Sequence, residues 1–139
     1  MSEVADWFML ILERMARALG YALNKLIGLK QSVGIEASNE FIVHYLQTEF
    51  DLSITELLKI ENNKFVEYLK TKHIHQSHLE IFSKILYETS ETLTNKDEER
   101  NLLLKSQTIL NYLNQTDKIY SIERQQFLTT LTNTIQQRS

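Results

Sequence analysis

The stretch that decides the fold is 3–33, EVADWFMLILERMARALGYALNKLIGLKQSV. Its apolar residues recur at alternating spacings of three and four: Ala5, Phe8, Leu12, Met15, Leu19, Ala22, Leu26 and Leu29. This spacing places them on one face of a helix and is typical of a helix that packs along another helix. We therefore predict a long apolar N-terminal helix over residues 1–33, with Ser2 as its N-cap and Gly34 as its stop.

The apolar face of this helix must be covered, and the sequence allows three ways to cover it. The helix can be the central core helix of the chain, or it can pair with a helix of a protein partner, a second copy included. In the third alternative it lies on a membrane surface with Arg14, Arg17, Lys25 and Lys30 toward the headgroups, although such helices usually have a broader basic face. The residues predicted to meet a partner are Phe8, Leu12, Met15, Leu19, Leu26 and Leu29.

An apolar start can also be a targeting signal, and the charges of this one argue against that. A secretory signal begins with basic residues, whereas this chain has Glu3 and Asp6 there. The apolar run Trp7–Leu12 is followed at once by charged residues, and it is far shorter than the roughly 20 residues that span a bilayer. We predict neither a signal peptide nor a transmembrane helix, and a cytoplasmic location.

Composition favours one all-α domain over residues 1–139, made of the N-terminal helix and a helical body over 34–139. The chain has 139 residues, no Pro and three Gly, so it lacks the residues that sheet-rich folds use in tight turns. It has no Cys, which excludes disulfides and thiolate chemistry. With 15 basic and 18 acidic residues the net charge is −3, so we expect no nucleic-acid partner.

Five or six shorter antiparallel helices are predicted after Gly34. Segments 36–49 and 75–93 have helical spacing of apolar residues, and 114–120 is predicted as a polar loop. Other helix starts are marked by side chains that accept hydrogen bonds from free backbone N–H groups. These are Ser53, in a capping box with Glu56, then Asn62 or Asn63, Asn95 and Ser121.

Three of the four histidines lie close together, at His73, His75 and His78. On a helix, His75 and His78 share a face, and with His73 they could bind a transition metal. No HExxH motif or suitably spaced acidic ligand accompanies them, so we interpret the segment as a polar turn between helices. A metal-binding protein or metal-dependent enzyme and a pH-sensitive turn remain alternatives.

Acidic residues also cluster, but in positions that predict a structural role. The group Asp97–Glu99 lies where a helix N-terminus favours negative charge, and Glu88 and Glu91 are spaced for a solvated helix face. The sequence contains none of the glycine-rich phosphate loops, nucleophile elbows or calcium-loop patterns that carry known chemistries. We predict no enzyme activity and no cofactor.

Two segments carry a resemblance, Met9–Gly20 (MLILERMARALG) and Ser121–Gln125 (SIERQ). With them, the chain resembles an uncharacterised family of small bacterial all-helical proteins with tetratricopeptide-like C-terminal helix pairs. The resemblance implies an antiparallel pair of helices starting near Asn95 and Ser121, with the helix from His75 stacked on it. It transfers no active site. The chain departs from a tetratricopeptide repeat in having no Pro, so repeat-like pairs rather than true repeats are expected.

Together these observations predict a non-enzymatic helical protein that acts as an interaction or scaffold protein. Its partner is expected to be a protein, and self-association through the N-terminal helix is one form that this takes. Fold analogy alone carries little about function.

Overall fold

A computed structural model describes residues Glu3–Arg138. Helix makes up 84% of the structure, and the described residues contain no strand. The predicted all-α class is therefore confirmed. One short 3₁₀ turn, Gln76–His78, lies among seven α-helices: α1 Glu3–Ser32, α2 Ile35–Phe50, α3 Ile54–Lys59, α4 Asn62–Thr71, α5 Leu79–Ser90, α6 Lys96–Thr116 and α7 Ile122–Gln137.

Side-chain caps begin three of these helices where the sequence predicted them. The Asn95 side chain accepts a hydrogen bond from the Glu98 N–H at 3.0 Å, and the Ser121 hydroxyl accepts one from the Arg124 N–H at 3.1 Å. The Ser53 hydroxyl accepts more weakly from the Glu56 N–H, at 3.4 Å. The cap predicted at Ser2 lies outside the described residues.

Three predicted boundaries were wrong. Asn62 and Asn63 are inside α4, which follows Glu61 without a side-chain cap. The helix predicted from His75 is preceded by the 3₁₀ turn, because His75 Nδ1 accepts a hydrogen bond from the Ser77 N–H at 3.1 Å and so caps that turn. Helix α6 continues to Thr116 and shortens the loop expected at 114–120.

Gly34 ends α1 and turns the chain into α2, as predicted. Its φ of 139° is open to glycine and strained for other residues. The Leu29 carbonyl accepts hydrogen bonds from the N–H groups of Val33 and Gly34, at 2.9 and 2.8 Å, which satisfies a carbonyl that the helix end would leave free.

The core is organised around α5 and α6, which pack on each other. Helix α5 also contacts α1, whereas α6 contacts α3, α4 and α7. Leu19, Leu26, Phe65 and Phe82 are among the fully buried side chains of the main core. A smaller cluster joins α6 to α7 through Leu103, Leu110, Leu131 and Ile135.

Candidate functional site

The first turns of α1 expose large apolar side chains close together in sequence. Val4 is 74% exposed, Trp7 64%, Phe8 48%, Met9 52% and Leu10 56%. We call these five residues the apolar tip. Isolated apolar side chains are normal on a protein surface, but these five lie close together in sequence and extend around most of the circumference of the helix.

The second half of the same helix has one face buried in the core. Leu19, Ala22 and Leu26 have no exposed surface. Helix α2 covers this half from one side, where the Tyr45 hydroxyl donates a hydrogen bond to the Ala18 carbonyl at 3.1 Å. Helix α5 covers it from another.

An ion-pair cluster fixes the C-terminal end of α1 to α5. The Lys30 ammonium group pairs with the carboxylate of Glu88 and donates to the Glu88 carbonyl at 3.1 Å. It also pairs with Glu91 at 3.0 Å. The Lys30 and Glu88 side chains are 12% and 19% exposed, so the interpretation of Glu88 and Glu91 as a solvated face was wrong for Glu88. Folding brings Lys30, which lies 58 residues away in the sequence, next to Glu88.

A groove of about 600 Å³ runs between α1 and the turn that follows α4. Its α1 wall is apolar and its other wall is mainly polar. The lining residues are Phe8, Ile11, Leu12 and Met15 on α1, and Lys70, His73, Ile74, His75 and Gln76 opposite.

Two histidines connect α1 to the opposite wall of the groove. The His75 ring meets the Phe8 ring edge-on, with centroids 6.0 Å apart. His78 is 5% exposed and hydrogen-bonds to the backbone of Leu12. Burial lowers the pKa of His78 below its usual value and the nearby His75 lowers it further, against the opposing effect of the Leu12 hydrogen bond. Burial therefore favours the neutral form of His78 in the folded state.

The three histidines considered as metal ligands have separate structural roles. His75 caps the 3₁₀ turn, His78 is buried under α1, and His73 occupies the left-handed region at φ 64°. Within Glu3–Arg138, no three His, Asp or Glu side chains are arranged to hold a metal ion. The geometry gives the metal hypothesis no support.

The residues predicted to meet a partner divide between two environments. Phe8, Leu12 and Met15 line the groove. Leu19 and Leu26 are fully buried in the chain's own core, and Leu29 is partly buried. Inclusion of Leu19 and Leu26 in an interaction surface was therefore wrong, because α2 and α5 already cover the helix there.

Other buried charged groups have hydrogen-bond partners within the chain. Arg124 pairs with Glu80 at 2.7 Å and with Asp117 at 3.0 Å, and so fastens α7 to α5 and to the end of α6. The Lys105 ammonium group donates to the side-chain oxygens of Asn62 at 3.2 Å and Asn101 at 2.7 Å. Burial lowers the pKa of Lys105. These contacts join helices and carry no chemistry that we can identify.

Comparison of the chain with known proteins found no relative. The chain matches no protein-family model, no curated protein and no solved structure. Among the described residues, no helix is both long enough and apolar enough to cross a bilayer.

Sequence reasoning missed the polar wall of the groove. Lys70 is held there because its ammonium group donates to the Tyr112 hydroxyl at 3.0 Å, a contact between α4 and α6 that spacing cannot reveal. Ile74, which lies on the same wall, is almost fully buried. The sequence signal that could have indicated this is an apolar residue between two histidines.

Proposed function

We propose that this protein is a non-enzymatic helical interaction protein that self-associates through the apolar tip. One observation carries the proposal: the tip exposes Val4, Trp7, Phe8, Met9 and Leu10, whereas the second half of the same helix buries Leu19, Ala22 and Leu26 in the core. Water contact with apolar surface costs about 25 cal/mol per Å², so covering these side chains is favourable. A second copy provides an equivalent apolar surface.

The charges near the tip favour a protein over a lipid surface as the partner. Glu3, Asp6 and Glu13 accompany the apolar residues, and Arg14 is the first basic residue. A membrane-surface helix binds anionic lipid through a broad face of Lys and Arg, whereas acidic residues are repelled by it. Membrane binding is therefore an outcome to be tested and is not what we propose.

The proposal has two further parts, the stacking of the C-terminal helices and the location of the protein. Helix α6 packs on both α5 and α7, and this supports tetratricopeptide-like stacking as a scaffold for partners. The cytoplasmic location stays a prediction from the sequence.

Trp7 is the single tryptophan of the chain, so its fluorescence reports on the tip directly. We expect light scattering to give a mass near twice 16.4 kDa, and Trp7 emission to move to longer wavelength as dilution separates the copies. Trp7→Ser should weaken association by about tenfold or more, since buried interface tryptophans are frequent hot spots. Ser and Trp have similar helix propensity, so α1 should be preserved.

Val33→Ser is the matched control. Val33 follows the other end of α1 and is 66% exposed, close to the 64% of Trp7. The control should associate like the parent chain. A parent chain that stays monomeric at all concentrations would overturn the proposal. If its Trp7 emission then shifts to shorter wavelength with vesicles of phosphatidylcholine and phosphatidylserine, the membrane alternative replaces it.

A further inference from the structure

Five charged residues on the first half of α1 are exposed and have no ion-pair partner among residues Glu3–Arg138. One is Glu13, and the other four, Glu3, Asp6, Arg14 and Arg17, share one face of the helix. Elsewhere in the described chain, some charged residues such as Lys30 and Arg124 pair with carboxylates, whereas others such as Glu36 and Lys118 are exposed without an ion pair. The first half of α1 therefore has unused charge of both signs.

The four charges on this face are arranged symmetrically about Leu10. Asp6 and Arg14 each lie four residues from Leu10, and Glu3 and Arg17 each lie seven residues from it. At about 100° per residue, all five positions fall within an arc of about 80° on one face of α1. That face points away from the buried residues Leu19 and Leu26. The acidic residues precede Leu10 and the basic residues follow it.

We infer that two copies pair through this face in antiparallel orientation, with their two-fold axis at Leu10. Glu3 and Asp6 of each copy then lie opposite Arg17 and Arg14 of the second copy. Such an interface uses the same surface on both subunits, as two-fold symmetry requires. The inference rests on the proposed self-association and narrows its surface to the side of the apolar tip that carries Leu10 and Trp7. Val4, Phe8 and Met9 lie about 100° or more from Leu10 around the helix and are not covered by this pairing.

Charge selects this orientation over the parallel one. In a parallel pair, Glu3 and Asp6 would face the same acidic residues of the second copy, and Arg14 and Arg17 would face arginines. Exposed ion pairs contribute little affinity, but like charges placed opposite each other disfavour the wrong arrangement. Affinity comes from apolar side chains at the centre, Leu10 and its neighbour Trp7. Glu13 lies about 60° from Leu10 around the helix, on the side opposite to Trp7, and so about 20° beyond the edge of the charged face.

Cross-linking tests the orientation, and the absence of native Cys makes each introduced thiol unique. We would treat single variants with a short bismaleimide linker. Leu10→Cys should cross-link to itself. Glu3→Cys should not, because two copies of position 3 lie about 21 Å apart in an antiparallel pair. An equal mixture of Glu3→Cys and Arg17→Cys should give the cross-linked dimer. Efficient cross-linking of Glu3→Cys to itself would overturn the inference.

Charge reversal provides an independent measurement by light scattering. The double variants Glu3→Arg/Asp6→Arg and Arg14→Glu/Arg17→Glu should each raise the dissociation constant about tenfold or more, and their mixture should restore association. If both variants associate like the parent chain while Trp7→Ser does not, the orientation is wrong and self-association stands. If the parent chain is monomeric, the proposed function fails first. Glu3 and Asp6 lie in the first turn of α1, where the helix dipole favours negative charge, so Arg at these positions costs some helix stability. The Arg14→Glu/Arg17→Glu variant lies away from the helix end, and its circular dichroism should be unchanged.

Discussion

The two halves of α1 continue one apolar stripe, yet they have opposite environments. From Leu19 onward the stripe lies under α2 and α5, and before Met15 it borders an open groove or faces water. Apolar spacing identifies the face of a helix that prefers burial. Which part of that face is covered by the same chain depends on how far the neighbouring helices extend.

The charged residues of the two halves of α1 also differ in whether they form ion pairs within the chain. Lys30 is held against α5 by Glu88 and Glu91, whereas Arg14 and Arg17 are exposed and have no ion-pair partner among the described residues. One half is fixed by intrachain contacts, and the other exposes charged groups that the proposed self-association would use. Three comparisons, each of one variant with a control, test this difference between the two halves.

The largest expected effect comes from the same change made in both halves. Leu19→Ala should lower the free energy of unfolding by about 2–5 kcal/mol, because it leaves a cavity at a fully buried position. Leu10→Ala, at a position 56% exposed, should lower it by less than about 0.5 kcal/mol. Urea unfolding followed by circular dichroism, below the concentration of self-association, measures both. Leu10 lies on the face of α1 opposite to Leu19, so equal costs would show that the exposed face of the first half is as well covered as the buried stripe of the second.

An intermediate effect is expected when the anchor at the end of α1 is removed. Lys30→Met keeps the apolar stem but leaves the Glu88 carboxylate without its cation, and it should cost about 1–2 kcal/mol after allowance for partial exposure. Arg14→Met is the matched control and should change stability by less than about 0.5 kcal/mol. The same urea titration decides the comparison, and a larger loss in the Arg14 variant would contradict it.

The smallest effect is a pH dependence where the two halves meet. Because the folded state lowers the pKa of His78, the unfolded chain binds a proton more readily than the folded chain. The stability linked to His78 should therefore be fully present above pH 6.5, decline as the pH falls from 6.5 toward the lowered pKa, and level off below it.

His78→Gln should flatten this part of the stability profile, whereas His44→Gln, at an exposed position on α2, should leave it unchanged. The nearby His75 is one cause of the lowered pKa of His78, so His75→Gln should reduce the dependence in part. A profile between pH 5 and 7 that His78→Gln does not alter would remove His78 as its cause.

Local signals predicted the fold better than they predicted boundaries. The caps predicted at Asn95 and Ser121 were correct because a cap depends only on one side chain and the backbone N–H three residues later. The start predicted at His75 was wrong because its ring bonds to the Ser77 N–H and favours a turn before the helix can begin. The extension of α6 to Thr116 was missed, because nothing in that polar segment distinguishes a loop from an exposed helix end.

The candidate site was predictable in part. Spacing found Phe8, Leu12 and Met15, but it could not separate them from Leu19 and Leu26 on the same stripe. The partners of Lys30 and Lys70 lie 58 and 42 residues away in the chain, so they follow from the packing of whole helices. The symmetric charges about Leu10 are visible in the sequence, and exposure shows that they are available.

The length of α1 gives the protein a mechanical property. Its 30 residues form a rod of about 45 Å, clamped along one half. A tilt of 10° about the clamped half would carry the other end through about 4 Å, the width of a methyl group. A small movement where α1 meets α5 would thus become a larger movement at the apolar tip. A molecule bound to the tip would in turn transmit force to the core.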